Sequence, residues 1–222
     1  MNDIDTIIWD WNGTLLNDIE ICIDSINVLL TNRKHKPLTG DIYKDIFTFP
    51  VKEYYIKAGF NFTYEPFDKI AIEFIDLYHE KLKDAVIFPE VIPVLKAFKR
   101  NNYKQLMVSA MEHKSLIKSV KEKSIYEYFD KISGIENYYA VSKLDNARKL
   151  VTELNLDLTK TCLIGDTIHD YEVAKDLGIY CLLIANGHQS FKRLKKSGCI
   201  VIEKLTDVLN VFSINHADIY LK

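Results

Sequence analysis

The chain has 222 residues, 48% of them hydrophobic and 27% charged, which is enough apolar material for one sizeable core and excludes intrinsic disorder. Its 29 Lys and Arg against 31 Asp and Glu leave a net charge of −2, which excludes a global electrostatic pull toward nucleic acid or an anionic membrane. The longest apolar stretch, Ile179–Ala185, is too short to span a bilayer. The acidic start Met1-Asn2-Asp3-Ile4-Asp5 lacks the basic-then-apolar pattern of a secretory signal. Cys22, Cys162, Cys181 and Cys199 form no C-x-x-C pair, which gives a zinc site little support; Cys162, Cys181 and Cys199 lie in or beside apolar runs and read as small core residues in a reducing, cytoplasmic setting.

In chain order, the first predicted element is a strand over Thr6–Trp11. From about Asp18 to about Asp84 no convincing strand follows. Ile19–Asn32 carries Ile19, Ile23, Ile26 and Leu30 at helical spacing, and Phe67–Lys83 carries Phe67, Ile70, Phe74, Leu77 and Tyr78 on one stripe. Between them lies the aromatic-rich stretch Ile42–Phe67. Beyond residue 84 short apolar runs recur at Gln105–Ser109, Lys131–Ile135, Thr161–Ile164, Tyr180–Ala185 and Cys199–Ile202. Helical stripes fall between most of them: Val91, Val94, Leu95 and Phe98; Leu116, Ile117 and Val120; Ala147, Leu150, Val151 and Leu154; Val173, Ala174 and Leu177. Strands alternating with helices predict an α/β domain with a parallel sheet, and continuous apolar strands predict helices on both faces. The helical block at 18–84 is predicted to be an insertion after the first strand.

In an open parallel sheet ligands bind beyond the carboxyl ends of the strands. Two strands end there in an acidic turn. The first continues as Asp10-Trp11-Asn12-Gly13-Thr14-Leu15, where a lone buried carboxylate is costly without a cation or donor, and Gly13 lets backbone N–H groups approach an anion. Taken alone, Asp10 reads equally well as a polar strand end with an Asx turn. The second runs Gly165-Asp166-Thr167-Ile168-His169-Asp170, with Asp170 opening a helix as a candidate N-cap. Carboxylates at two neighbouring strand ends can share a hard cation such as Mg²⁺. Ser109 ends another strand, where its hydroxyl can donate to a phosphoryl oxygen. Lys143 begins the helix through Leu150 and can neutralise a phosphoryl group. Each of these two is also ordinary turn or surface chemistry.

The four segments, in this order, resemble the haloacid dehalogenase superfamily. Asp10-Trp11-Asn12-Gly13-Thr14-Leu15 matches its D-x-D-G-T-L motif except at Asn12. Ser109 matches the second motif by position, Lys143 the third, and Gly165-Asp166-Thr167-x-x-Asp170 the fourth. Phe88-Pro89-Glu90-Val91 is similar to the family's return from a cap. The resemblance covers essentially the whole chain and is nearest to the phosphoglycolate phosphatase-like subgroup with a helical cap. It implies a Rossmann-like core over residues 1–17 and 85–222 with the α-helical cap at 18–84. It also implies a Mg²⁺-dependent phosphatase for a small phosphorylated metabolite. Asp10 would be the nucleophile. Asp10, the Asn12 carbonyl, Asp166 and Asp170 would hold the metal, and Gly13, Thr14, Ser109 and Lys143 would bind the phosphoryl group, Lys143 also serving catalysis.

Asn12 departs from the pattern. Family phosphatases place there an aspartate that protonates the leaving oxygen, a service typically worth about 10²–10⁴-fold that an amide cannot perform. The sequence therefore carries two further readings: a phosphate-binding or regulatory protein of the same fold with little turnover, and a dehalogenase, against which the metal-type fourth motif argues. His113 and His188 follow strand ends and are candidates to face the site. Phe47, Phe49 and Tyr54 are candidates to line a substrate pocket. The run Phe191–Lys196 reads as a solvated helix face.

Overall fold

The structure, a computed structural model, describes residue 1 and residues 3–135 and 143–215. The strands are β1 (Thr6–Trp9), β2 (Leu16–Asn17), β3 (Val86–Ile87), β4 (Lys104–Glu112), β5 (Lys131–Ile135), β6 (Thr161–Gly165), β7 (Tyr180–Ile184) and β8 (Ile200–Ile202). The helices are α1 (Ile19–Asn32), α2 (Gly40–Ile46), α3 (Val51–Ala58), α4 (Phe67–Leu82), α5 (Val91–Arg100), α6 (His113–Glu122), α7 (Lys143–Glu153), α8 (Ile168–Leu177), α9 (Phe191–Leu194) and α10 (Val208–Val211). Six strands form one parallel sheet in the order β5-β4-β1-β6-β7-β8. Among the described residues no helix is long and apolar enough to cross a membrane.

β1 lies in the middle of the sheet and every one of its residues is buried. Successive side chains point to opposite faces, so Ile7 and Trp9 join one core layer and Ile8 the other. Trp9 meets Phe98 of α5 edge-on at 5.4 Å, and its indole N–H donates to the Gln105 side chain at 3.1 Å. That bond lets a tryptophan sit in a fully buried strand at no polar loss. On the other face Ile8, Leu106 and Leu163 pack with Ala147 and Leu150 of α7 and with Val173 and Ala174 of α8.

The first strand stops at Trp9, two residues before its predicted end at Trp11. The Trp11 carbonyl accepts the amides of Thr14, Leu15 and Leu16, which folds residues 11–16 into a turn and takes them out of the six-stranded sheet. β4 runs past Ser109 to Glu112 through an irregularity after Val108. Asp170 is not the N-cap that the sequence suggested. Thr167 caps α8, and Asp170 sits three residues in, its carboxylate returning to the Thr167 amide in a capping box.

The helical insertion α1–α4 leaves and rejoins the core through a two-residue antiparallel ribbon, Leu16–Asn17 against Val86–Ile87. Strands this short carry no periodicity, which is why the sequence did not show them. Within the insertion Arg33 at the end of α1 holds Glu65 at 2.6 Å and Glu73 of α4 at 2.7 Å.

Candidate active site

Register places the acidic residues. β1 and β6 pair with Trp9 opposite Ile164, and the Asp10 amide donates to the Ile164 carbonyl at 2.9 Å. Asp10 and Asp166 therefore emerge side by side beyond the sheet. The Thr14 hydroxyl lies between them, 3.1 Å from Asp10 Oδ2 and 3.2 Å from Asp166 Oδ1. Asp170 arrives from the first turn of α8, and Lys143 from the first turn of α7. The Lys143 ammonium donates to Asp10 Oδ1 and, at 2.5 Å, to Asp170 Oδ1. All four charged groups are buried. Val141 and Ser142, the approach to Lys143, lie outside the described residues.

Three glycines, Gly13, Gly165 and Gly187, hold the carboxylates in this cluster, and a Cβ at Gly165 would strike the Asp170 side chain. Gly13 adopts φ +73°, and a Cβ there would run into the side chains of Asp166 and His188. A Cβ at Gly187 would strike the Asp166 carboxylate. Only backbone without side chains fits this close to the acidic group.

A second network lies beside the first. The Asn12 Nδ2 group donates to Asp18 Oδ2 at 2.9 Å and to the Tyr78 hydroxyl at 2.7 Å, while Asn12 Oδ1 accepts from Ser109 Oγ at 3.4 Å. Tyr78 in turn donates to Asp18 Oδ2 at 2.8 Å, and the Gly13 amide donates to Asp18 Oδ1 at 3.0 Å. His188, in the loop after β7, has Nε2 3.3 Å from Asp18 Oδ1 and Nδ1 2.8 Å from the Tyr43 hydroxyl. The His188 amide donates to Asp166 Oδ2 at 2.6 Å, which ties the two networks together.

Electrostatics separates the groups. Burial pushes Asp10 up to about 6, with Lys143 opposing and Asp170 adding to the rise. Burial pushes Asp166 up to about 7 against the pull of His188, with Asp10 and Asp170 adding. Burial also opposes ionisation of Asp18 and Asp170, but His188 holds the first below the usual carboxylate range and Lys143 the second. His188 is raised to about 9, because the Asp18 charge outweighs the burial that would lower it. Asp18 and His188 thus form a buried ion pair, and Asp10 and Asp166 are left with excess negative charge.

The structure gathers Asp10, Asn12, Ser109, Lys143, Asp166, Asp170 and His188 around one cavity, and Phe47, Phe49 and Tyr54 line it. Gly13 and Thr14 flank it through the contacts above. His113 is not among these residues. Its Nδ1 accepts from the Gly134 amide at 3.2 Å on the far side of β4. Sequence reasoning missed Asp18, Tyr43 and Tyr78. Asp18 precedes a helix and reads as an N-cap, yet its side chain makes no capping bond and turns inward instead. That inward turn has no signature in a single sequence.

The acidic cluster suits a hard divalent cation. Oxygens of Asp10, Asp166 and Asp170 lie within 4.8 Å of one another, and all three residues are buried. One lysine stands against three carboxylates, and burial first, with the neighbouring carboxylates adding, raises Asp10 and Asp166. Carboxylate oxygens with room for water and phosphoryl oxygens are the ligand set that Mg²⁺ takes.

A family model described as haloacid dehalogenase-like hydrolase matches residues 7–184. No curated protein matches the chain. Among solved structures, a haloacid dehalogenase-like family hydrolase from Streptococcus pneumoniae is similar at TM-score 0.79 and 22% identity, covering 96% of this chain and 100% of that one. A predicted phosphatase from Clostridium acetobutylicum reaches 0.77 at 17% identity, covering 95% and 98%. A predicted phosphoglycolate phosphatase from Haemophilus somnus reaches 0.74 at 17%, covering 95% and 99%. At these identities the likeness is one of fold.

Proposed function

The chain belongs to the haloacid dehalogenase-like hydrolase family, and on that premise we propose that it is a Mg²⁺-dependent phosphatase of a small phosphorylated metabolite. The observation that carries this is the buried cluster of Asp10, Asp166 and Asp170 around Lys143 at the floor of one cavity. Asp10, Asp166 and Asp170, with the main-chain carbonyl of Asn12, would hold Mg²⁺, which when bound offsets charge on the phosphoryl oxygens. The Asp10 carboxylate attacks phosphorus, and the bond to the leaving oxygen breaks with its electron pair going to that oxygen. Water then attacks phosphorus, releases phosphate and returns the Asp10 carboxylate. Asp10, at about 6, is ionised for this attack at neutral pH. Lys143 supplies positive charge beside the transferring group, where a preorganised charge is worth most. Ser109 is positioned to donate to a phosphoryl oxygen. The helical insertion, residues 18–84, serves as the cap that excludes water. The four unbonded cysteines support a cytoplasmic setting.

The test is phosphate release from a panel of phosphorylated metabolites with and without Mg²⁺, with Asp10→Asn as control. Turnover that needs both Mg²⁺ and Asp10 supports the reading. Turnover that survives Asp10→Asn sinks it. One observation favours a second reading, a phosphate-binding protein with little turnover: both N–H groups of the Asn12 amide are committed to Asp18 and Tyr78, so no acid stands at position 12. Tight phosphate binding without release of product from any ester would favour it.

A further inference from the structure

The cavity above Asp10 has a volume of about 260 Å³, and its far wall comes from the helical insertion. Phe47, Phe49, Tyr54, Tyr55, Phe74 and Tyr78 line it. They touch in sequence, Phe49 to Phe47, Phe47 to Tyr54, Tyr54 to Tyr55, Tyr55 to Phe74 and Phe74 to Tyr78, with ring centroids 5.2 to 6.1 Å apart. An aromatic wall of this extent favours a flat apolar guest.

The charges that line the cavity turn other guests away. Among the described residues no arginine lines it, and its lysine, Lys143, is held by Asp10 and Asp170. His188 is held by Asp18 and Tyr43. His169 lies tilted against Phe49 and 3.4 Å from Glu172, and His79 lies against the Tyr78 ring. Glu112 adds a carboxylate to the lining. Apart from His79, a leaving group bearing its own carboxylate or a second phosphate meets no cationic or histidine side chain among the lining residues that is not already beside a carboxylate.

We infer that the phosphate ester taken at this site has an uncharged aromatic leaving group. The inference rests on the phosphatase reading above. The chemistry agrees with the missing acid at position 12. When Asp10 attacks, the phosphorus–oxygen bond breaks and the electron pair stays on the ring oxygen. An aryl oxide accommodates that charge without a proton, whereas an alkoxide does not. Water supplies the oxygen of the released phosphate and the proton that the aryl oxide later takes.

The test is calorimetric titration of the intact protein, with Mg²⁺ present, using phosphonates that cannot be hydrolysed. Benzylphosphonate is the isostere of an aryl phosphate; ethylphosphonate and phosphonoacetate are the small and the carboxylated controls; orthovanadate probes the phosphoryl site alone. Burying the ring should make benzylphosphonate bind at least about tenfold tighter than either control. Ethylphosphonate or phosphonoacetate matching benzylphosphonate, while orthovanadate binds, overturns the aromatic assignment and leaves the phosphatase reading standing. Failure of orthovanadate to bind overturns both readings.

Discussion

The side-chain amide of Asn12 donates to the carboxylate of Asp18 at 2.9 Å, so the chain has an amide where its family's phosphatases carry an acid and a buried carboxylate directly behind it. The two positions are chemically linked. A carboxylate at 12 would face the Asp18 carboxylate and the Tyr78 hydroxyl in place of a donor.

The first prediction follows from that pair. Asn12→Asp should destabilise the fold by about 2 kcal/mol, since it removes a buried donor and sets like charges together. The exchange Asn12→Asp with Asp18→Asn restores one amide and one carboxylate across the same gap. It also takes from His188 its carboxylate partner, so it should recover only the part of the loss that belongs to the gap between 12 and 18, and it should speed alkyl phosphate hydrolysis by up to about 10²-fold. Melting curves and single-turnover rates of the three proteins check this. A double variant no more stable than Asn12→Asp would show that the contact is not what links the sites.

Lys143 gives the second. Its ammonium bridges Asp10 and Asp170, and removing it leaves two buried carboxylates facing each other. Lys143→Ala should cost the metal-free protein about 3–5 kcal/mol. It should lower turnover by about 10²–10³-fold. Mg²⁺ should raise the melting temperature of the variant more than that of the unaltered chain. Equal shifts in both would mean that lysine and metal answer to different charges.

The third prediction concerns pH. Asp10 and Asp166 stand at about 6 and about 7 against an unfolded value of 3.8, so folding favours their protonated forms. Their contribution is complete below 3.8 and is lost as pH rises through 6 and then 7. Each such group changes the stability by about 1.4 kcal/mol per pH unit inside its window. Mg²⁺ must displace those protons. The melting shift it produces should therefore grow between about pH 5 and about pH 8, and Asp166→Asn should flatten that growth. His188 acts in a higher window. Its stabilisation is complete below 6.5 and disappears as pH rises through about 9, and Asp18→Asn should abolish that second decline. A Mg²⁺ shift independent of pH would contradict the assignment of the cluster.

The fourth concerns the clasp that holds the insertion shut. The Phe47 carbonyl accepts from Gln189 Nε2 at 3.0 Å and from the Arg193 guanidinium, which also donates to the Lys44 carbonyl at 3.3 Å. Gln189→Ala with Arg193→Ala should speed hydrogen exchange across residues 40–58 and raise KM several-fold while changing kcat little. Exchange rates unchanged in that segment would place the clasp elsewhere.

The sequence disclosed what is local. Asp10 and Asp166 each end an apolar run, and that run fixes both the strand and the direction of its last side chain. Two helices of the insertion, α1 and α4, were legible from their stripes, whereas α2 and α3 are short and lay hidden in the aromatic-rich stretch 42–67, whose crowding made Phe47, Phe49 and Tyr54 legible only as a set. The pairing of Asp18 with His188 was not legible. The partners are far apart in the chain, and each looks ordinary alone: an aspartate before a helix and a histidine after a glycine. Tyr43 and Tyr78 reach the same carboxylate network from two different helices, and only the packing of the insertion onto the sheet decides that they meet. Ser109 and Lys143 were legible by order and position, whereas the continuation of β4 to Glu112 depends on pairing with β5 that no local pattern announces.

Both passages of chain between sheet and insertion run through the same ribbon, Leu16 and Asn17 against Val86 and Ile87. A lid hung from one strand can twist as well as swing; one hung from two bonded strands is confined to a single axis. Asp18 follows the ribbon directly, while Tyr43 and Tyr78 belong to α2 and α4 of the insertion. A cap swinging on this ribbon would carry both tyrosines away together and expose one buried ion pair, Asp18 with His188, to water at a stroke. Such a gate would have an electrostatic threshold built into its hinge, and traffic through it is expected to be all-or-none rather than graded.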